Sequence, residues 1–501
     1  MPIPPPTPET FSVDDAWKPL PPEFWRIDTA QHWLRRVGFA ATPEAVTAAL
    51  RSSPQACWQA AFATEDAGMP KPEALVQFEA SVFERTRTIR QATEDPAAKR
   101  TLRRELRQED NQLFRNYAMD WFHYARQQEN SAREKFVLFL QDIFVVERNK
   151  VKASYALFNL QQTLRAGCTG SYRRLCQQVS REPAMIRYLD LDKNTARQPN
   201  ENFARELFEL FTLGEGHYTE TDIKEASRAF TGYRIKNRTQ FLLQKSLHDS
   251  GKKTIFGETG NWDGDAVIDL IFRQPAARTF LVRELIKFYL TEQHVPEPYL
   301  SALGDLWAAN DFSLSYLGET FFRSRLFFHP AYRGNFVKSP IHLYLGLCQD
   351  LRLDIVPFQS RVLRSMDVMG QSFYNPPNVR GWLHGKHWIN STTISGRRQL
   401  VDYLFAQLNE SQLNGNEQRA LQQARAAGRG SFLVTRERLN QVADTDPTDL
   451  AGHLTSYFLT PPLQAAYQPI IAEIIAGADN PAEGIRSAMI ALLQSPAYNL
   501  C

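Results

Sequence analysis

The residues best suited to chemistry gather in one stretch, Asn200-Glu201-Asn202-Phe203-Ala204-Arg205-Glu206-Leu207-Phe208-Glu209-Leu210-Phe211-Thr212-Leu213-Gly214-Glu215-Gly216-His217-Tyr218. On a helix, positions three and four residues apart are neighbours, so Asn202, Arg205, Glu206 and Glu209 share one face. Leu207, Phe208, Leu210, Phe211 and Leu213 make the rest of its surface apolar. The segment is therefore expected to be buried, where charge is costly unless paired, bound to metal or held for chemistry. Two readings follow. In one, Arg205 pairs with Glu201 or Glu209 and ties the helix to its neighbours. In the other, Glu206 and Glu209 form a carboxylate pair, one raised in pKa and acting as acid while the other stays ionised, with Asn202 and Arg205 orienting substrate. No Glu-x-x-His is present, which argues against a di-iron carboxylate bundle.

Three further groups stand beside this pair. His217 follows Gly214-Glu215-Gly216; it either satisfies carbonyls at a helix end or is brought to a ligand by a glycine-framed loop. His248-Asp249-Ser250-Gly251 reads as an Asx turn. With His217 and a glutamate it would make a His/carboxylate site of the kind that suits zinc, iron or manganese, although the spacing demands no metal. Asn375-Pro376-Pro377-Asn378 and Gly381-Trp382-Leu383-His384-Gly385-Lys386-His387-Trp388-Ile389-Asn390 combine flat apolar faces (Tyr374, Trp382, Trp388) with Asn378, His387 and Asn390. That pairing recognises sugars, and it equally describes an aromatic anchor for a rigid loop. No glycine-rich phosphate loop, G-x-S-x-G elbow or H-E-x-x-H is found.

The elements that must position these groups are mainly helical. Apolar residues recur with helical spacing over 73–90, 99–129, 132–146, 202–213, 266–272, 279–290 and 314–322. Thr42-Pro43 is an N-cap with proline at the first helical position, and the x-Pro-Ala pattern recurs at Pro183, Pro275, Pro330 and Pro496, each expected to precede or enter a helix. Thr219 and Asp222 have the spacing of a capping box. Only 231–257 alternates like a sheet, through Tyr233, Ile235, Phe241, Leu243 and Ile255, predicting a hairpin or three-stranded flap. The expected organisation is a proline-rich arm over 1–27, extended along 4–22, and a large helical domain over 28–408 with the flap inserted. A polar linker over 409–449 and a C-terminal helical segment over 450–501, packed on the main domain, complete it.

Composition sets the outer limits. The 501 residues carry a net charge of +3 and no global field for nucleic acid or an anionic membrane. The most basic stretch, 99–107, contains Glu105 with Glu109 and Asp110 close behind, and reads as a solvated, charge-mixed helix rather than a phosphate-binding stripe. Five irregularly spaced cysteines argue for reduced structural thiols. The N-terminus has no basic and apolar signal pattern, and no apolar run is long enough to span a bilayer, so a cytoplasmic protein without a membrane span is expected.

Six motifs occur in order: His32-Trp33-Leu34-Arg35-Arg36-Val37-Gly38-Phe39-Ala40-Ala41-Thr42-Pro43, the 200–218 stretch, Ala226-Ser227-Arg228-Ala229-Phe230-Thr231-Gly232, Leu247-His248-Asp249-Ser250-Gly251, Val337-Lys338-Ser339-Pro340, and Asn375-Pro376-Pro377-Asn378-Val379-Arg380-Gly381-Trp382. Together they resemble the bacterial family catalogued as domain of unknown function 1800, over about residues 28–400. The resemblance implies a largely helical protein, often exported, often encoded beside a sulfatase-like or alkaline-phosphatase-like protein. Where many relatives carry Trp-His-Asn-His-Phe, this chain has Leu140-Gln141-Asp142-Ile143-Phe144. Both histidines are replaced, which implies altered or lost chemistry if they are ligands or acid–base groups in relatives. The preferred expectation is a hydrolase or transferase acting on a polar glycan or an anionic ester, with Glu206, Glu209, His217 and His248 catalytic. Asn202, Arg205, Asp249, Asn378, Trp382, Trp388 and Asn390 would bind substrate. The rival is a non-catalytic scaffold that docks the sulfatase-like partner.

Overall fold

The computed structural model describes residues 12–63, 68–91, 96–443 and 449–501. Residues 1–11, which hold the prolines at 4–8, lie outside them. From Ser12 onward the expected extended arm is packed. Ser12 caps a short helix at Val13–Ala16, and buried Trp17 donates its indole N–H to the Tyr299 carbonyl at 2.9 Å.

Helix accounts for 64% of the structure. The strands described form two separate two-stranded antiparallel sheets, Tyr233–Lys236 with Gln240–Leu243 and Lys253–Ile255 with Glu258–Gly260. The fold is mainly α with this small insertion. Proline opens Pro43–Leu50, Pro183–Tyr188, Pro275–Tyr289 and the 3-10 turn Pro330–Tyr332, as its fixed φ and missing N–H favour. Pro496 does the opposite. It follows the Pro481–Gln494 helix, whose C-cap Ser495 is already extended at ψ 154°, the conformation a following proline imposes. Among the described residues, 409–449 hold a 3-10 turn, Glu410–Gln412, and two α-helices, Gly415–Ala426 and Arg436–Ala443, and Leu421, Phe432 and Leu439 are buried there.

The Gln128–Ile143 helix runs through the core, with every residue from Ser131 to Gln141 buried. Its apolar run Phe136 to Leu140 accounts for that, but Arg133, Glu134 and Lys135 must each be satisfied. Arg165 grips Glu134 with both arms, at 2.6 and 2.7 Å, and Trp121 donates to the same carboxylate at 2.8 Å. Lys135 donates to the carbonyls of Arg36 and Gly38, both at 2.7 Å, at the open C-terminal end of Ile27–Val37. Arg133 reaches the Phe62 carbonyl at 2.8 Å. Buried charges thus fix this helix, and its last turn carries Asp142, whose side chain is mostly buried. All five cysteines are free, and among the described residues no helix is long and apolar enough to cross a membrane.

Candidate functional site

A cleft of about 730 Å³ opens between the last turn of Gln128–Ile143, the 209–217 segment, the Pro275–Tyr289 helix and the 379–387 loop. Its volume is within the range of small-molecule sites. Three of the chain's ten histidines line it, His217, His384 and His387, so it is rich in acid–base groups.

The 202–213 stretch is not one regular helix. An α-turn at Asn202–Glu206 passes into a π-helix at Leu207–Thr212, closed by the Leu213 N–H donating to the Phe208 carbonyl at 2.8 Å. Its wider turn moves Glu209 out of the strict α register that puts it in line with Asn202 and Arg205. π-turns recur where a helix must re-aim a side chain at a functional surface. Glu209 lines the cleft, where the Tyr218 hydroxyl donates to it at 2.9 Å and Arg380 at 2.7 Å. Glu206 stays half-buried behind the wall. Burial, then the Glu209 charge, pushes its carboxyl above the usual range, so an electrostatic link between the two glutamates exists without a shared pocket.

Arg205 faces away from the cleft, paired with Glu220 at 2.7 Å and Glu201 at 3.2 Å; the Glu220 contact raises the guanidinium further above its ordinary pKa. Asn202 donates to the Leu189 carbonyl at 3.2 Å. The His248 turn is elsewhere too. His248 Nδ1 lies 2.9 Å from the Thr231 carbonyl, and Asp249 takes Arg228 Nε at 2.7 Å and the Gly251 N–H at 2.8 Å, the Asx turn of the simpler reading. The Arg228 contact holds the Asp249 carboxyl below its ordinary range. Neither residue lines the cleft with His217, and among the described residues no group of three or more His, Cys, Asp or Glu side chains is placed to hold a metal ion. Thr219 and Asp222 do form the capping box that starts Glu220–Ala229.

The 375–390 loop divides similarly. Asn378 is exposed and accepts the Arg380 N–H at 2.8 Å, a turn contact. Asn390 is the N-cap of Ser391–Leu404, with a capping box to Thr393. Trp388 is buried behind the cleft against His384, ring centroids 6.1 Å apart, and serves as the anchor. Trp382 does line the cleft, and its indole N–H has no partner among the described residues.

The pair that composition and spacing did not single out is Asp142 with His384. His384 Nε2 lies 2.6 Å from Asp142 Oδ2, and Asp142 Oδ1 accepts the Trp382 N–H at 3.1 Å. With Asp142 as a carboxylate, Nε2 carries the proton and Nδ1, which has no hydrogen-bond partner among the described residues, is the basic nitrogen. Phe288 packs edge-on against the imidazole at 5.0 Å and restricts its rotation. The chain belongs to the DUF1800 family, described as "Protein of unknown function". The family model matches residues 32–500. No curated protein and no solved structure matches the chain.

Membership gives the motifs a place in this fold. His32, Arg35 and Arg36 are buried and bind main-chain carbonyls of Phe327, Leu459 and Tyr289, among others. Ser339-Pro340 caps and opens the buried Pro340–Asp350 helix. These motifs hold the scaffold together. The Leu140-to-Phe144 string lies at the cleft instead: Ile143 lines it, while Gln141 is buried with Oε1 unpartnered among the described residues. That string and the 381–390 loop are the two sequence signals that contained Asp142 and His384.

Proposed function

We propose that the protein is an enzyme, a hydrolase or transferase acting on a polar glycan or an anionic ester in the 730 Å³ cleft. The observation that carries this reading is the 2.6 Å contact between Asp142 and His384 at the cleft wall. In this reading His384 Nδ1 takes a proton from water or from a substrate hydroxyl as that oxygen attacks the ester's phosphorus or sulfur, or the sugar's anomeric carbon. The bond from that atom to the leaving oxygen breaks, the leaving oxygen receives the proton from the imidazolium, and Asp142 orients the ring and stabilises the imidazolium. Glu209, oriented by Tyr218 and Arg380, serves as a hydrogen-bond acceptor for substrate. Lys386 and Arg283 supply positive charge for an anionic group, and Trp382 supplies the flat apolar wall that a sugar ring favours. A thermal-shift screen of sugars and of phosphate and sulfate esters identifies the ligand class. His384→Ala and Asp142→Asn should then lower turnover of the best hit about 10²- to 10⁴-fold while the circular-dichroism spectrum is unchanged. Undiminished turnover in His384→Ala would overturn the assignment.

One observation favours docking instead. Leu383, an apolar side chain that lines the cleft, is 66% exposed. On that reading the cleft receives a surface segment of a sulfatase-like partner. Leu383→Asp would then abolish co-elution with that partner, whereas His384→Ala would not.

A further inference from the structure

A second cleft, of about 560 Å³, shares no lining residue with the first. It lies between the Glu73–Gln91 and Pro96–Ala125 helices, the Arg148–Val151 turn and the tip of the first hairpin. Six cations line it: Arg90, Arg103, Arg107, Arg148, Lys152 and Arg238. The one carboxylate among the described lining residues, Asp110, is already engaged. Its Oδ1 accepts the N–H and the hydroxyl of Ser154, both at 2.8 Å, and its Oδ2 lies 3.0 Å from Arg148. Among the described lining residues, six cations stand against one carboxylate.

The arrangement has the structure of a site. Arg103 and Arg107 are four apart on one helix face, a like-charge spacing that costs helix stability. Among the described residues neither they nor Arg90 nor Lys152 has an anionic partner. Lys152 and Arg238 adopt left-handed backbone, at φ 50° and 70°, which costs a side-chain-bearing residue about 1–2 kcal/mol and is tolerated where a side chain must be aimed. Arg238 Nε is buried and without a hydrogen-bond partner among the described residues. Opposite the arginines, Phe78, Val82 and Ile89 form an apolar stripe on the facing helix, and Tyr155 closes the floor. Residues 99–107, read from the sequence as a solvated charge-mixed helix, therefore turn two of their arginines toward a cleft.

We propose that this cleft binds a small organic polyanion, a molecule with two or more phosphate or sulfate groups on an apolar or aromatic body. The arginines and Lys152 neutralise the anionic groups, and the Phe78–Val82–Ile89 stripe receives the body. The size of the cleft and the closeness of its cations to an apolar wall favour such a ligand over an extended nucleic-acid backbone, which needs a longer basic track.

The test is titration calorimetry of the full chain with adenosine triphosphate, inorganic pyrophosphate and inorganic phosphate. The nucleotide should bind more tightly than pyrophosphate, and pyrophosphate more tightly than phosphate. Arg103→Gln/Arg107→Gln, exposed positions given a good helix former, should weaken nucleotide binding by at least about tenfold, equivalent to about 1.4 kcal/mol. Lys152→Gln provides an independent second variant with the same expected direction, while Arg398→Gln, at an exposed position that lines neither cleft, should leave binding unchanged. Absence of binding by any of the three probes up to about 1 mM overturns the proposal. So does binding that the arginine pair and Lys152 do not affect. Tighter capture of a single-stranded oligonucleotide, or of phosphatidylserine vesicles, through the same arginines would assign the site to a macromolecule or lipid surface and reject the small anion.

Discussion

Gly381→Ala should separate the 375–390 loop from the helix end that carries Asp142. Gly381 has φ 78°, and a Cβ there would lie 2.5 Å from Asp142 Oδ1 and 3.0 Å from its carbonyl oxygen. Ordinary contact begins near 3.4 Å, so the carboxylate must retreat by about 0.9 Å. That is more than a 2.6 Å contact to His384 or a 3.1 Å contact from the Trp382 N–H can absorb and remain a hydrogen bond. The left-handed backbone contributes about 1–2 kcal/mol once a Cβ is present. Weakening two hydrogen bonds to a carboxylate, partly replaced by water, adds about 2–3 kcal/mol. Gly216→Ala isolates the first contribution, because Gly216 has φ 82° with nothing within 4 Å of its added Cβ. Urea denaturation should therefore show a loss of about 1–2 kcal/mol for Gly216→Ala and about 3–5 kcal/mol for Gly381→Ala. Amide exchange should show the Trp382 N–H losing protection only in the latter. Equal losses in the two variants, or an unchanged Trp382 amide, would refute the claim that Asp142 holds this loop, and with it the basis for the His384 dyad.

Glu134→Gln should cost about 3–5 kcal/mol by leaving the Arg165 charge buried and uncompensated; Glu134→Leu/Arg165→Met should recover most of it in the same denaturation assay, and a loss below about 1 kcal/mol in the single variant would contradict the burial argument. Arg205→Ala, which removes a pair whose arginine is 35% and Glu220 67% exposed, should cost no more than about 1 kcal/mol and leave cleft ligand affinity unchanged; a large affinity loss would return Arg205 to the site. Burial lowers Lys135 to about 7 and Lys338 to about 8, from 10.5. Above each folded pKa, and below 10.5, the unfolded chain binds more protons than the native one, so stability should rise between pH 7 and 9. Below pH 7 the penalty for burying the charged ammonium is present in full. Each group contributes at most about 1.4 kcal/mol per pH unit, and Lys338→Met should flatten the rise above pH 8. A stability that falls from pH 7 to 9 would show that these ammoniums are better stabilised than their burial implies.

Local physics made much of the scaffold legible. The Leu314–Phe322 helix matches its periodicity residue for residue, and Thr42, Thr219 and the prolines at 43, 183 and 275 act as helix-start signals because capping depends on near neighbours alone. The 231–257 alternation likewise lies in the paired strands. Pro496 shows the limit: the same tripeptide that opens helices elsewhere closes one here, since a proline also follows helix ends.

The sequence alone determined the mainly helical class, the family and the segments in which the cleft residues lie, because these follow from periodicity, capping and motif order. It also identified Glu209, His217 and Trp382, which line the cleft. Only the tertiary structure decided that His248 and Asp249 belong to another turn, that Arg205 faces Glu220, and that Asp142 meets His384 across 242 positions of chain. It also converted a charge-mixed helix into one wall of a basic cleft. A pairing between distant residues is set by how a buried helix such as Gln128–Ile143 is gripped by its neighbours, and no spacing along the chain encodes that.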